Sequence, residues 1–352
     1  MKLTARVVST GFLLIVGLIF LNSNFLGRNV ASAAQFGTNA FNGPTGITTC
    51  GSHVWVTNVT NNSLTELNTS NGALIRIVNG ASNFLSEPMG VAGNGSDLWV
   101  ANLSNNTVAE VNCRTGVSIR NISSGNLNSP VGVAVAGTKV WVASQALKTT
   151  LNGGLIMNSS SVTGYNTSSG SLLDNVNGTN VNGLNGSSGI ATSGGNVWIT
   201  NTYGDSVTEL NAASGSVVRV VGGGAGGFKW PVAVISTGAD VWVANLEGNS
   251  LTEINESTGA VRRVVTGDGL NGPAAICEFG KAIWVANLYG DSVTELNAYN
   301  GSLIRVIRSK SDGFSAPTGI AGGGSGIWVT NQWSNTVTEL KAANGSLERV
   351  IR

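Results

Sequence analysis

The sequence predicts an all-β protein, a seven-bladed β-propeller made of four-stranded antiparallel blades. One tryptophan recurs seven times in a short strand-like phrase, and successive tryptophans are 44, 42, 57, 44, 42 and 44 residues apart. A period of about 40–45 residues is typical of a repeat that forms one propeller blade. Each repeat also contains four strand-like runs separated by turn residues. The tryptophans are Trp55, Trp99, Trp141, Trp198, Trp242, Trp284 and Trp328.

The N-terminal residues have the pattern of an export signal. Lys2 and Arg6 precede an apolar run, and the small residues that end at Ala34 provide a cleavage site. The apolar run is shorter than the roughly 20 residues that a membrane-spanning helix needs. We therefore expect residues 1–34 to be a signal peptide and residues 35–352 to be the mature propeller, secreted or at the cell surface. An uncleaved N-terminal anchor is the alternative.

The composition restricts the class of partner. Removing residues 1–34 leaves 16 basic and 18 acidic residues, a net charge of −2. Such a surface lacks the positive field that binding to nucleic acid or an anionic membrane requires. We expect a monomer with no nucleic-acid partner and no membrane insertion after cleavage.

The three cysteines stand at non-equivalent repeat positions. Cys50, Cys113 and Cys277 lie in the first, second and sixth repeats and form no recognisable framework. An odd number leaves at least one thiol outside any intramolecular pair. We interpret the three as small buried hydrophobic residues.

The prolines identify the innermost strand. All six stand 11 residues before a tryptophan, at the start of a short run of small residues. Proline lacks an amide hydrogen and is tolerated as the first residue of a strand, so we place this strand first in each blade. The prolines are Pro44, Pro88, Pro130, Pro231, Pro273 and Pro317, and Ser187 replaces them in the fourth repeat.

The tryptophan strand is predicted to come second. Both of its faces are apolar or small, as expected when a blade packs against a neighbour on each side. An asparagine closes this strand in six repeats, and we expect it to bond the adjacent loop. A ring of polar ligand-binding groups is the alternative. The residues are Asn58, Asn102, Asn201, Asn245, Asn287 and Asn331, with Ser144 in the third repeat.

The third and fourth strands form an outer hairpin. A glycine separates them in every repeat, as in hairpin turns that need positive φ. In six repeats a glutamate precedes an arginine by 10 residues, whereas the third repeat has Gly164 and Asp174. This joint change predicts a cross-strand ion pair worth about 0.2–1 kcal/mol, and a functional acid array is the alternative. The pairs are Glu66 with Arg76, Glu110 with Arg120, Glu209 with Arg219, Glu253 with Arg263, Glu295 with Arg305, and Glu339 with Arg349.

The last repeat completes its own fourth strand within residues 347–352. We therefore expect the ring to close without exchange of a strand between the two ends of the chain.

These repeats resemble a known family. The phrases Pro-Thr-Gly-Ile, Trp-Val-Thr-Asn and Asn-Ser-Leu-Thr-Glu-Leu-Asn resemble the YVTN-type β-propeller repeats, relatives of the NHL repeats, over residues 41–352. The resemblance implies a propeller and an exported or surface protein, but no particular activity.

The blades also resemble those of streptogramin lyase, a seven-bladed enzyme whose site needs histidine and glutamate. The single histidine, His53, falls in a loop of fixed length, and the innermost strands carry one charge, Glu278. The catalytic residues of that enzyme therefore have no counterpart, and we predict no catalytic residue, no metal site and no cofactor.

Loop lengths indicate where a ligand would bind. They vary only between strands two and three and between blades, and alternation of strand direction brings these loops to one face, the variable face. This face carries an insertion at about residues 145–157. The loops between strands one and two and between strands three and four have constant lengths and form the opposite, fixed face.

The variable face carries aromatic residues that a blade does not need. Five are candidate ligand-binding residues: Tyr203, Tyr289, Trp333, Trp230 and Phe228. The first three stand 5 residues after a tryptophan, where the other repeats have Thr60, Ser104, Ala146 and Glu247. The rings either pack onto neighbouring blades or contact a sugar or a peptide.

From this surface we predict a non-enzymatic exported binding or scaffold protein that recognises a protein or carbohydrate partner. The alternative is a lyase or glycan-active enzyme with its site in the central funnel of the same face.

Overall fold

The computed structural model describes residues 40–352 apart from 81–83, 150–154, 158–159, 179–181, 224–225 and 309. The predicted signal peptide lies outside this range. Within it, no helical segment has the length and apolar character needed to cross a bilayer.

Seven four-stranded antiparallel sheets form a ring, which confirms the predicted fold. Each blade uses strands from one continuous stretch of chain. The seven blades span residues 44–79, 88–122, 130–177, 187–222, 231–266, 273–307 and 317–351. The insertion in blade 3 forms a separate hairpin of β11 (Leu147–Thr149) and β12 (Leu155–Met157), and not an eighth blade.

The innermost strands begin at the prolines, or at Ser187 in blade 4, as predicted. The third residue is glycine in five blades and alanine in two, because adjacent innermost strands lie very close together. A Cβ atom on Gly46 would overlap with the carbonyl oxygen of Met89 in the next blade. The strands are β1 (Pro44–Cys50), β5 (Pro88–Gly93), β9 (Pro130–Ala136), β15 (Ser187–Ser193), β19 (Pro231–Ser236), β23 (Pro273–Phe279) and β27 (Pro317–Gly323).

The second strands carry the tryptophans, and all seven rings are buried. Each ring packs against the following blade, as Trp55 does against Leu98 and Val100. Trp328 of blade 7 packs against Val54 and Val56 of blade 1, which continues the layer around the ring. The strands are β2 (His53–Asn58), β6 (Asp97–Asn102), β10 (Lys139–Ser144), β16 (Asn196–Asn201), β20 (Asp240–Asn245), β24 (Ala282–Asn287) and β28 (Gly326–Asn331).

The third and fourth strands form the outer hairpins. The third strands are β3 (Ser63–Asn68), β7 (Thr107–Asn112), β13 (Ser161–Asn166), β17 (Ser206–Asn211), β21 (Ser250–Asn255), β25 (Ser292–Asn297) and β29 (Thr336–Lys341). The fourth are β4 (Leu74–Asn79), β8 (Ser118–Ile122), β14 (Leu172–Asn177), β18 (Val217–Gly222), β22 (Val261–Thr266), β26 (Leu303–Ile307) and β30 (Leu347–Ile351).

The six glutamate–arginine pairs are present as predicted. In blade 1, Glu66 and Arg76 stand directly opposite each other on β3 and β4. In all six blades the arginine Nε lies 2.5–2.7 Å from a glutamate oxygen. The carboxylates are at most 7% exposed, whereas the arginine side chains are 28–36% exposed, so each pair joins a buried acid to a partly exposed base.

The arginines also connect blades. The guanidinium of Arg120 donates to the carbonyl of Ser168, in the outer turn of the next blade, at 2.8 Å. Arg76, Arg219, Arg263 and Arg349 make the equivalent bond to their following blades. These five pairs therefore connect their own hairpin to the adjacent one.

Blade 3 reaches the same connection with other residues. Lys139 lies 2.7 Å from Asp174 and donates to the carbonyl of Ala213 in blade 4 at 2.6 Å. The lysine ammonium thus takes the place of the guanidinium, and the aspartate takes the place of the glutamate. This explains why Gly164 and Asp174 changed together.

The asparagines that close the second strands are structural, as we expected. Asn58, Asn102, Asn201, Asn245, Asn287 and Asn331 are fully buried. In blade 1, the amide of Asn58 donates to Ser63 and Thr65 at 3.1 and 2.8 Å, and Thr65 donates to the entry-loop carbonyl of Ala40. Because these amides are enclosed, they present no polar ring to a ligand.

The ring closes without strand exchange, because β1–β4 and β27–β30 are complete separate sheets. Side chains make the connection between them. The amide of Gly43 donates to Asn335 at 2.8 Å, and Thr330 donates to the carbonyl of Thr45 at 2.9 Å.

Our interpretation of all three cysteines as buried hydrophobic residues is wrong. Cys50, at the end of β1, forms a disulfide with Cys113, which directly follows β7 of the next blade. The two positions differ within the repeat, yet blade-to-blade packing brings their Cα atoms to 6.4 Å. Cys277 carries a free thiol, and burial, followed by the nearby Glu278, raises its pKa to about 12.

Candidate functional site

The loops of the variable face are held by one repeated hydrogen bond, which we call the inter-blade clasp. An Asn or Asp in the loop between strands two and three accepts the backbone amide of the residue before the next blade's proline, at 2.6–2.8 Å. The acceptors are Asn62, Asn106, Asp205, Asn249, Asp291 and Asn335. Blade 3 uses Ser160 Oγ, which accepts the Gly186 amide at 2.8 Å.

The loop conformation does not depend on the aromatic side chains. Tyr203, Tyr289 and Trp333 each donate their backbone amide to a carbonyl of their own entry loop, at 3.1, 3.2 and 3.3 Å. Thr60 makes the same bond to Asn42 at 3.2 Å without an aromatic ring. A blade is therefore built equally well with or without a ring at this position.

Two tyrosine rings lie across glycine. A Cβ atom on Gly186 would overlap with the ring of Tyr203, and one on Gly272 would overlap with the ring of Tyr289. Both glycines also have positive φ, +71° and +64°. One side of each ring is thus covered by the entry loop. Tyr289 remains 36% exposed, and Tyr203 is half-buried.

Trp230 stands in the same loop position as these glycines, but in blade 5. Its φ is +54°, a left-handed conformation that Glu87, Ser129 and Ala316 also adopt at this position, so the entry loop imposes it in every blade. The clasp from Asp205 holds its amide, and its half-buried ring meets the Tyr203 ring edge-on with centroids 5.8 Å apart.

Glu247 lies between the two tyrosine-bearing blades. The neighbouring amides of Leu246 and Gly248 donate to the carbonyls of Trp230 and Lys229, at 2.9 and 3.2 Å. The Glu247 carboxylate also interacts with the Tyr289 hydroxyl. Burial, together with the charge and hydrogen bond of Glu247, raises the pKa of Tyr289 well above its usual value.

Trp333 is the most exposed of the predicted rings, at 73%. With it, a run of side chains extends over blades 4 to 7. We call Tyr203, Trp230, Glu247, Tyr289 and Trp333 the aromatic arc. Glu247 was not among the residues predicted to bind a ligand. The signal that could have identified it is its repeat position, which it shares with Tyr203 and where it is the one carboxylate.

Phe228 does not join the arc. It is 8% exposed and packs with Trp198, Val207 and Val241 in the core between blades 4 and 5. Its ring therefore anchors the loop that carries Trp230.

The central funnel carries little charge along the described strands. Glu278 is the one charged residue of the seven innermost strands, and burial raises its pKa. It lies near the fixed face. In the described part of the chain, no group of three or more His, Cys, Asp or Glu residues is arranged to hold a metal ion. His53 is on the fixed face too, with Nδ1 2.7 Å from Glu66.

Solved structures share the fold at low sequence identity. A streptogramin B lyase is 16% identical, with a TM-score of 0.68, and the match covers 84% of this chain and 92% of that one. Virginiamycin B lyase from Staphylococcus aureus is 16% identical, with a TM-score of 0.66 over 84% and 94%. Hydrazine synthase from Kuenenia stuttgartiensis is 17% identical, with a TM-score of 0.68 over 90% and 100%. No protein-family model and no curated protein matches the chain. These likenesses show the fold alone.

Proposed function

We propose that this chain is an exported recognition propeller that binds a partner through the aromatic arc of its variable face and does not transform it. The observation that carries the proposal is the independence of the rings from the fold. Thr60 shows that the backbone of this position is kept without a ring. Exposed rings that the fold does not require are typical of binding surfaces.

Export and family are part of the same proposal. The N-terminal charged and apolar pattern supports an export signal. The resemblance of the repeats to YVTN-type propellers also supports a secreted or surface protein, either free after cleavage or held by its N-terminal segment.

The rings can contribute binding free energy only if they are exposed in the free protein. An aromatic anchor that becomes buried in an interface contributes up to about 2 kcal/mol or more on truncation. Trp333 and Tyr289 have the exposed area to become buried in this way.

The proposal is tested with peptide and oligosaccharide arrays and the variant Y203S/Y289S/W333S. We expect ligands of the wild-type protein to be lost from the variant while the melting temperature stays nearly unchanged. Y299S is the matched control, because Tyr299 is 89% exposed in an outer turn of the fixed face. Ligands that all bind the triple variant normally, or a triple variant that unfolds, would contradict the role of the arc.

The non-enzymatic part has its own measurement. Each ligand found on the arrays is incubated with the protein and recovered for mass spectrometry. We expect an unchanged mass, and a cleaved or otherwise altered ligand would favour the lyase or glycan-active alternative.

A further inference from the structure

We propose that the ligand of the aromatic arc is a neutral oligosaccharide, with Tyr203, Tyr289 and Trp333 as stacking platforms and Glu247 as acceptor of sugar hydroxyls. This inference rests on the proposed function, since it names the ligand class of the same surface.

Two of the rings rest on the main chain. Tyr203 and Tyr289 lie across Gly186 and Gly272, so the entry loop covers one side of each ring, while Tyr289 stays 36% exposed and Tyr203 half-buried. A flat ring backed by main chain is suited to a flat apolar ligand surface, such as the C–H face of a pyranose.

The three rings are separated from one another along the variable face. Tyr203, Tyr289 and Trp333 occupy one repeat position on blades 4, 6 and 7, so blade geometry separates them. A ligand made of repeating flat units fits separated platforms. A single ammonium group instead needs rings that converge within about 6 Å of it.

One acidic side chain, Glu247, accompanies the rings. The half-buried Glu247 carboxylate already accepts from the Tyr289 hydroxyl, and a carboxylate has further acceptor sites. Sugar hydroxyls are neutral donors, and hydrogen bonds to an ionised acceptor are about twice as strong as neutral ones. Pockets that combine apolar walls with a few polar groups obtain orientation from the latter.

The net charge of the variable face also restricts which sugars can bind. In blades 4 to 7 the loops of this face carry more acidic than basic residues: Asp205, Glu247, Asp268, Asp291 and Asp312 against Lys229, Arg308 and Lys310. The excess of carboxylates repels uronic, sialylated and sulfated glycans.

The glycines supply a variant that moves a ring without removing it. In Gly186→Ala the new Cβ overlaps with the Tyr203 ring and must displace it. Gly43→Ala is the matched control, because Gly43 has a similar φ of +64° but lies under Thr60. Both substitutions carry a similar backbone strain and displace the side chain that lies over the glycine, so a larger loss of binding in G186A reports the Tyr203 ring.

The experiment is calorimetric titration of the purified protein with chitohexaose, cellohexaose and mannohexaose, and separately with hexagalacturonate and hexalysine. We expect saturable binding of at least one neutral oligosaccharide and none of the charged probes. Binding should weaken at least about tenfold in Y203S/Y289S/W333S and in E247Q, and more in G186A than in G43A. Y299S should bind as the wild type does.

The outcomes separate this inference from the proposed function. Preferential, arc-dependent binding of hexalysine or hexagalacturonate would overturn the sugar class and keep the arc as the recognition surface. Sugar binding that is unchanged in the triple variant would overturn both. Failure to bind all three neutral oligosaccharides would overturn this inference, while the array experiment still decides the proposed function.

Discussion

At the scale of single residues, the buried glutamates of the outer hairpins set a pH dependence. Glu110 is paired with Arg120 and is 3% exposed. Burial raises its pKa to about 7 from a usual 4.5, the arginine opposes the rise, and the nearby Asp97 adds to it. Burial raises the pKa of the equivalent glutamates as well, for example Glu295 and Glu339.

This predicts a protein that loses stability as pH rises from 4.5 to about 7. A raised pKa in the folded state contributes stability that is complete below the unfolded pKa of 4.5 and is lost as pH rises through about 7. Each pKa unit corresponds to about 1.4 kcal/mol, so Glu110 accounts for a few kcal/mol at most. Urea unfolding at several pH values measures the slope, and we expect it to be smaller in E110Q.

The neighbouring aspartate provides the companion variant. D97N removes the like charge beside Glu110 and should lower the pKa of Glu110. The pH range over which the unfolding free energy falls should therefore move toward lower pH without disappearing. Equal slopes for E110Q and the wild type would show that Glu110 ionises in the folded state as it does in the unfolded chain.

At the scale of the element, the inter-blade clasp joins each loop between strands two and three to the entrance of the following blade. Asn249 and Asn335 make the same bond at 2.7 and 2.8 Å, and both have positive φ. The two boundaries differ in whether the polypeptide chain crosses them. A loop of the chain joins blades 5 and 6, whereas blades 7 and 1 are joined only by side-chain and packing contacts in the described structure.

This pair gives a second prediction. N249G and N335G keep a residue that accepts positive φ and delete only the side-chain bond, so each should cost about 0.5–1.5 kcal/mol in unfolding free energy. N335G should also speed amide hydrogen exchange in β1 and β27, because that boundary has no chain connection. Equal exchange in those strands for the two variants would contradict it.

Much of each element could be predicted from sequence, because its signals are local. Pro44 and its equivalents identify the innermost strand, and the exchange at Gly164 and Asp174 revealed the outer ion pair. The clasp could not be predicted, since its partners lie in different blades, up to 292 residues apart for Gly43 and Asn335. In the candidate site, the sequence predicts the repeat position of Tyr203. The packing of its ring on Gly186 and the burial of Phe228 could not be predicted, because they depend on loop conformation.

At the scale of the whole molecule, one blade-to-blade contact occurs in two chemical forms. Cys50 and Cys113 join blades 1 and 2 by a disulfide. Ser193 and Glu256 occupy the equivalent positions of blades 4 and 5, where Ser193 donates to the buried carboxylate at 3.3 Å. The packing of the ring therefore sets the contact, and each boundary fills it differently.

The third prediction concerns this contact. The disulfide closes a loop spanning 63 positions, so C50S/C113S should lose about 4 kcal/mol of unfolding free energy. C50S/C113E copies the Ser193 and Glu256 pair and should recover part of that loss, about 1 kcal/mol or more. Urea unfolding of both variants decides it, with C277S as the control that retains the disulfide. Identical stability of the two double variants would show that the positions are not equivalent.

Closure of the ring by side chains has a consequence for how such a protein changes over generations. Each of the seven described four-stranded sheets takes all its strands from one repeat, and the boundary between blades 7 and 1 uses the same clasp and tryptophan layer as the internal ones. A gene duplication or deletion of one whole repeat therefore leaves no strand without its sheet. The number of blades can therefore change by one whole repeat at a time, while an exposed residue such as Trp333 can be substituted independently.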